Sequence, residues 1–265
     1  MDRQLSKELK KLKKREEKFL NKKENALLKS KIAPMMNKIQ EKIPAKLKST
    51  LENAFFKGFQ LVFEKGNTYI EKTYDKDKIQ LEHDLNNYAV DKKMGKKYIK
   101  RLDKQVNHSK LVNSSFSVLE GGVLGVLGIG LPDIPLFIAV IMRTVYEIAL
   151  NYGYDYKKEE EKAYILLVIS GAMTQGSRQQ IFNEQLDELG NQIDQQVQGD
   201  INLEERIKET AQVLSEAMLT AKFIQGIPVV GAVGGIVNYH MIRKIGRYAS
   251  VKYKKRYLMK KTENK

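Results

Sequence analysis

The chain has 265 residues, enough for one large or two small domains with a sizeable core. Its 47 basic and 32 acidic residues leave a net charge of +15, which favours a polyanionic partner: nucleic acid, an anionic lipid surface or an acidic protein. With no cysteine, disulfides, thiolate metal sites and thiol nucleophiles are excluded.

The chain starts Met-Asp-Arg-Gln-Leu-Ser-Lys and stays charged for about thirty residues, without the apolar core of a secretory signal, so a cytoplasmic protein is expected. Residues 3–31 place Leu5, Leu9, Leu12, Phe19, Leu20, Leu27 and Leu28 at roughly helical spacing among lysines. That pattern predicts a basic amphipathic helix, either a solvated surface helix or an arm that binds a membrane or partner. Pro34 and Pro44 follow, and the expected division is an arm over residues 1–33 and a helical domain over 34–265. Leu47, Leu51, Ala54, Phe55, Phe59, Leu61 and Val62 predict a second helix that ends near Gly66. Residues 67–110 are polar, with one further helix suggested by Ile79, Leu81, Leu85, Tyr88 and Ala89.

The apolar centre runs from about Leu111 to Leu150. Val118–Leu127 is expected to be helical, with Gly121 and Gly125 at the spacing that lets helix backbones approach closely. Gly121–Met142 has the length of a membrane span, but Pro132, Asp133 and Pro135 interrupt it. An aspartate at mid-membrane costs about 2.5–3.5 kcal/mol on the insertion scale. A buried helical hairpin of a soluble core and a re-entrant membrane contact both fit this stretch better than a span. Asp133 is placed to start a helix over 134–152, and Gly153 to stop it in the left-handed region. Within that helix Arg143 and Glu147 stand four apart, close enough to pair across one turn.

Further helices are predicted from Glu159 to Met173, over 179–197 and over 203–223. A second glycine-rich apolar run, Gly226–Val237, precedes a basic helix that reaches Tyr257. No segment alternates as a strand does, so the fold class is all-α: a multi-helix bundle with glycine-rich apolar helical hairpins. In the final helix Lys252, Tyr253, Lys254, Lys255, Arg256 and Tyr257 interleave cations with aromatics. Lysines there suit lipid headgroups or phosphates, and Tyr248, Tyr253 and Tyr257 suit the interfacial layer or base stacking.

Enzymatic signals are poor. His83, His108 and His240 are scattered without HExxH spacing, and the glycines of 121–130 fit neither GxGxxG nor the P-loop. No GxSxG surrounds Ser115, Ser170, Ser177 or Ser215, so no catalytic residue, metal ligand or cofactor is assigned.

Gly121-Gly-Val-Leu-Gly125, Pro132-Asp-Ile-Pro135, Tyr152-Gly-Tyr-Asp155, Ile227-Pro-Val-Val-Gly-Ala232 and Arg256 together resemble the EcsC family of bacterial proteins, over roughly residues 45–258. The resemblance implies a helical fold and an association with components of an ABC transporter, and it transfers no catalytic residue. It maps the family's characteristic positions to Gly121, Gly122, Asp133, Tyr152, Gly153, Pro228, Gly231 and Arg256. The expected function is that of a non-enzymatic cytosolic protein, peripheral on the inner membrane surface or on a transporter there. A hydrolase acting on lipid or peptide, and a nucleic-acid-binding protein, are the alternatives.

Overall fold

The structure, a computed structural model, describes residues 3–20, 43–92, 96–105, 133–197, 199–225 and 235–263. These residues are all-α, with no strand among them. The helices are α1 Arg3–Leu20, α2 Ala45–Leu61, α3 Asn67–Glu71, α4 Lys76–Asp91, α5 Lys96–Gln105, α6 Asp133–Asn151, α7 Glu159–Met173, α8 Gly176–Asp194, α9 Leu203–Gln225 and α10 Gly235–Glu263.

The two most apolar helices form the middle. From Phe137 to Asn151 every residue of α6 is buried, and in α7 the same holds from Ala163 to Ala172. Helices apolar all round must be covered on every side. Accordingly α6 packs against α2, α4 and α10, while α7 packs against α8, α9 and α10. The segment Ile134–Asn151 is long and apolar enough to cross a membrane, but 94% of it is covered by the protein's own side chains. It is the core helix. Helix α10, which touches both, acts as the strut between the two halves.

Local chemistry explains several helix ends. Asp75 accepts from the Lys78 backbone N–H at 2.9 Å and starts α4; Asn202 does the same for Glu205 at 3.0 Å ahead of α9. Glu159, Glu160 and Glu161 fill the first turn of α7, where the helix dipole favours negative charge.

Two expectations are corrected. Gly66 does not end the second helix: its backbone stays right-handed (φ −72°), and the chain passes through a π-helical turn, Val62–Gly66, into α3. The polar stretch that follows holds two longer helices, α4 and α5, rather than one. Helix α1 packs on α10: Leu5 and Leu12 are buried and Phe19 stacks on Tyr248 with ring centroids 4.9 Å apart.

Candidate functional site

The C-terminal end of α6 shows how this region is built. The Tyr154 N–H donates to the Ala149 carbonyl and the Gly153 N–H to the Leu150 carbonyl, both at 2.9 Å, with Gly153 at φ +81°. This is a Schellman stop, which satisfies carbonyls the helix leaves open. Gly153 is also required by space, because a Cβ there would run into the His83 ring. His83 bonds through Nδ1 to the Asn151 carbonyl oxygen at 2.9 Å and meets Tyr257 edge-on. Burial, opposed by that hydrogen bond, holds the His83 imidazole below its ordinary pKa.

From this stop the chain delivers Tyr154 to Arg256. The guanidinium lies between the Tyr154 and Tyr164 rings, 4.1 and 4.3 Å from their centroids. Its Nη1 donates to both carboxylate oxygens of Glu161, at 2.8 and 3.1 Å. Its Nη2 and Nε donate to the two oxygens of Asp194, at 2.9 and 3.0 Å. Burial opposes the charge on Arg256, but Glu161 and its other neighbours outweigh burial and hold the pKa above the ordinary arginine value. A planar fork stacked on aromatics and paired twice with carboxylates is the geometry for which arginine is suited and lysine is not.

The same helix turns its lysines inward. Lys252 Nζ, whose side chain is 0% exposed, reaches Glu16 at 2.6 Å and Asp187 at 2.8 Å. Lys255 bridges the same two carboxylates at 2.9 and 2.7 Å, and Lys254 takes Asp103 at 2.7 Å. Lys261 pairs with Asp91 at 2.7 Å. Burial works against the Asp187 charge, yet Lys252 and Lys255 win and hold the carboxyl below its usual range. Tyr248, Tyr253 and Tyr257 are buried as well.

The expectation that Lys252, Tyr253, Lys254, Lys255, Arg256 and Tyr257 form a membrane or polyanion contact is therefore corrected. Their charges are taken up by carboxylates of α1, α5, α7 and α8, and their rings pack in the core.

A second polar cluster surrounds the middle of α6. Arg143 Nε donates to Glu147 Oε1 at 2.9 Å, across one helical turn and out of solvent. Burial pushes the Glu147 carboxyl up, and Arg143 pulls it back only in part. Nearby, Tyr146 donates to Asn67 Oδ1 at 2.7 Å and stacks on Tyr156, centroids 3.9 Å apart. Tyr74 donates to the Tyr156 hydroxyl at 2.7 Å, and Tyr156 donates to Glu71 Oε1 at 2.8 Å. Sequence inspection missed this phenol chain, whose members come from α3, α6 and the connections beside them. Burial raises the pKa of both Tyr74 and Tyr146, so the phenols stay protonated and act as hydrogen-bond donors.

Of the remaining expected positions, Gly121, Gly122, Gly125, Pro228 and Gly231 lie outside the described residues. Asp133 is the first residue of α6, and its side chain lies outside them too. Tyr152, beside the stop at Gly153, donates to Asp103 Oδ1 at 3.2 Å, the carboxylate that also holds Lys254. Among the described residues two clefts stand out at the surface. The larger, about 660 Å³, lies between α7, α8 and α9 and carries mixed charge, with Arg206 tied to Glu209 at 2.9 Å. The smaller, about 240 Å³, lies between α1, α5 and α10.

The arrangement defines a class: an all-α domain strung on a buried basic helix. Among the described residues it contains no group of three His, Asp or Glu side chains placed to hold a metal ion. The chain belongs to the EcsC protein family, whose family model matches residues 6–258. The match starts inside α1 rather than near residue 45, in keeping with the packing of α1 onto α10. The chain is similar to Protein EcsC of Bacillus subtilis (strain 168), 26% identical over 221 residues, which cover 81% of this chain and 80% of that protein. It is also similar to Uncharacterized protein YdbA of the same organism, 26% identical over 153 residues, or 55% of this chain and 54% of that one. No solved structure matches it.

Proposed function

We propose that this EcsC-family protein is a non-enzymatic docking protein that sits peripherally on the inner, anionic face of the cell membrane, or on an ABC transporter embedded there. The observation that carries the proposal is the outer face of α1. While Leu5, Leu12 and Glu16 turn inward, Lys7, Lys10, Lys11, Lys13, Lys14 and Lys18 are exposed. Near an anionic leaflet each contributes about 1 kcal/mol, enough together for reversible adsorption. The docking element is thus α1 and not the end of α10, whose cations are already neutralised within the protein. The glycine-rich runs 121–131 and 226–237 are assigned the apolar part of the contact.

Nucleic acid would be drawn to the same lysines. Lipid is favoured because Tyr248, Tyr253 and Tyr257, the aromatics suited to base stacking, are buried. A hydrolase is less well supported, since the buried carboxylates Glu147 and Glu161 are each held by an arginine.

Co-sedimentation of the full chain with phosphatidylglycerol vesicles tests the proposal. Binding at low salt that fades by about 0.5 M salt, and that is absent on phosphatidylcholine, is expected. No binding to phosphatidylglycerol at low salt overturns it.

A further inference from the structure

We propose that the cleft between α1, α5 and α10 is an anion site that receives a phosphate group, with Arg15 and Arg247 as its two clamps. The cleft, about 240 Å³, is lined by Arg15, Arg247, Lys254 and Asp103. Among the described residues Asp103 is the one carboxylate in the lining, and it is already used: Lys254 donates to Oδ2 at 2.7 Å and Tyr152 to Oδ1 at 3.2 Å. That leaves two arginines lining the same space with no carboxylate paired to either among the described residues. Among the described residues, three cations against one anion give the lining a net charge of +2, which matches a phosphate monoester dianion.

The placement separates this cleft from the other arginine sites. Arg256 and Arg143 are closed into carboxylates inside the core. Arg15 and Arg247 are instead exposed and line one cleft, one from α1 and one from α10, two helices packed on each other. Guanidinium forks match the spacing of phosphate oxygens and bind them in pairs. Leu12 and Val251 give the cleft an apolar side, where the carbon next to a phosphate ester can rest. A phosphate group is the shared chemistry of a lipid headgroup and of a soluble phosphate. The inference deepens the docking proposal and rests on it only for which of these two is the source.

Calorimetric titration of the full chain with inorganic phosphate, in low-ionic-strength chloride buffer, tests the site. Saturable binding is expected, weakened about tenfold in Arg247→Gln and about a hundredfold in Arg15→Gln/Arg247→Gln. Lys57→Gln, exposed on α2 and outside the cleft, should titrate as the unmodified chain does. Because Arg15 and Arg247 are exposed and make no ion pair among the described residues, the double variant should fold, which circular dichroism checks. No saturable binding, or equal binding by the double variant, overturns the site.

A second arm uses phosphatidylcholine vesicles containing phosphatidic acid. If inorganic phosphate displaces the protein from them, and the double variant binds them more weakly than the charge-matched Lys10→Gln/Lys14→Gln, the occupant is a headgroup. If phosphate titrates normally while vesicle binding is absent, the docking proposal fails and the site stands, with a soluble phosphate as occupant. If vesicles bind but phosphate does not, the site fails and docking stands.

Discussion

Replacing Arg256 tests whether the basic strut is held by its carboxylates. In Arg256→Met the side chain keeps most of its length, but Glu161, whose side chain is 3% exposed, loses its cation and two hydrogen bonds. Asp194 loses two more but is 16% exposed, so water recovers part of the loss. Removing one partner of a buried pair costs about 3–5 kcal/mol, because the remaining charge is stranded. Against a typical total of about 5–15 kcal/mol, that is a large fraction of the fold's stability. Arg256→Lys keeps the charge but gives up the fork and the two ring faces at 4.1 and 4.3 Å, and about 2 kcal/mol is expected. The assay is urea denaturation followed by circular dichroism. Adding Glu161→Gln to Arg256→Met removes the stranded charge, so the double variant should be less destabilised than the sum of the two singles. The pH dependence has a definite sign as well. Without Arg256, burial drives the Glu161 carboxyl further above its unfolded value, so the folded state binds the extra proton. The variant's deficit should then be small near pH 5 and grow as pH rises through the raised value. A cost below about 1 kcal/mol, or additive singles, refutes the account of Arg256 as a structural clamp.

Gly153→Ala should cost more than about 2 kcal/mol by thermal denaturation, since both φ +81° and the His83 ring oppose a Cβ. Gly176→Ala, at φ +60° with nothing within 4 Å, carries only the backbone penalty and should cost about 1 kcal/mol; equal costs would dismiss the steric part. His83 has a depressed folded pKa, so its contribution is fully present above the unfolded value of about 6.5 and is lost as pH falls toward the folded value. Stability measured from pH 7.5 to 5 should fall by at most about 1.4 kcal/mol per pH unit from this group, and His83→Gln should flatten that slope. Lys252→Met/Lys255→Met strands Glu16 of α1, and limited trypsin digestion should then cut within α1 well before the rest of the chain. Unchanged cleavage order would show that Leu5, Leu12 and Phe19 alone hold α1 in place.

Local signals proved legible, and pairings across long sequence separations did not. The stop at Gly153 is written in one glycine after an apolar run, and the Arg143–Glu147 pair in a spacing of four. Helix α5 escaped notice because Tyr98, Ile99 and Leu102 are too few apolar residues to mark a face against its lysines and arginine. The end of α10 misled for a different reason. Its cations read as solvated because composition counts charges without saying where they meet. Lys252 finds Glu16 across 236 positions, and Lys254 finds Asp103 across 151. The π-helical turn at Val62–Gly66 was hidden by the habit of reading glycine as a stop, although a buried glycine in right-handed backbone continues a helix.

The burial of a cationic helix pairs much of its charge with the protein's own carboxylates. Each of α1, α4, α5, α7 and α8 sends at least one carboxylate to α10: Glu16, Asp91, Asp103, Glu161, and Asp187 with Asp194. A buried charge is expensive unless paired, so each of these contacts penalises any arrangement that moves its carboxylate away. Apolar packing alone would tolerate sliding of α1 along α10, whereas Glu16 bonded to both Lys252 and Lys255 tolerates little. Acidic residues are thus spent against the strut, while the lysines of α1 have no comparable set of partners among the described residues. Among the described residues, Lys252, Lys254, Lys255, Arg256 and Lys261 of α10 are thus paired, whereas α1 presents a row of exposed lysines. Arg15 and Arg247 stand at the border between the two, where α1 meets α10 beside the spent carboxylate of Asp103. An anion bound there would complete the same pattern from outside, with the ligand supplying the negative charge that the fold supplies everywhere else along the strut.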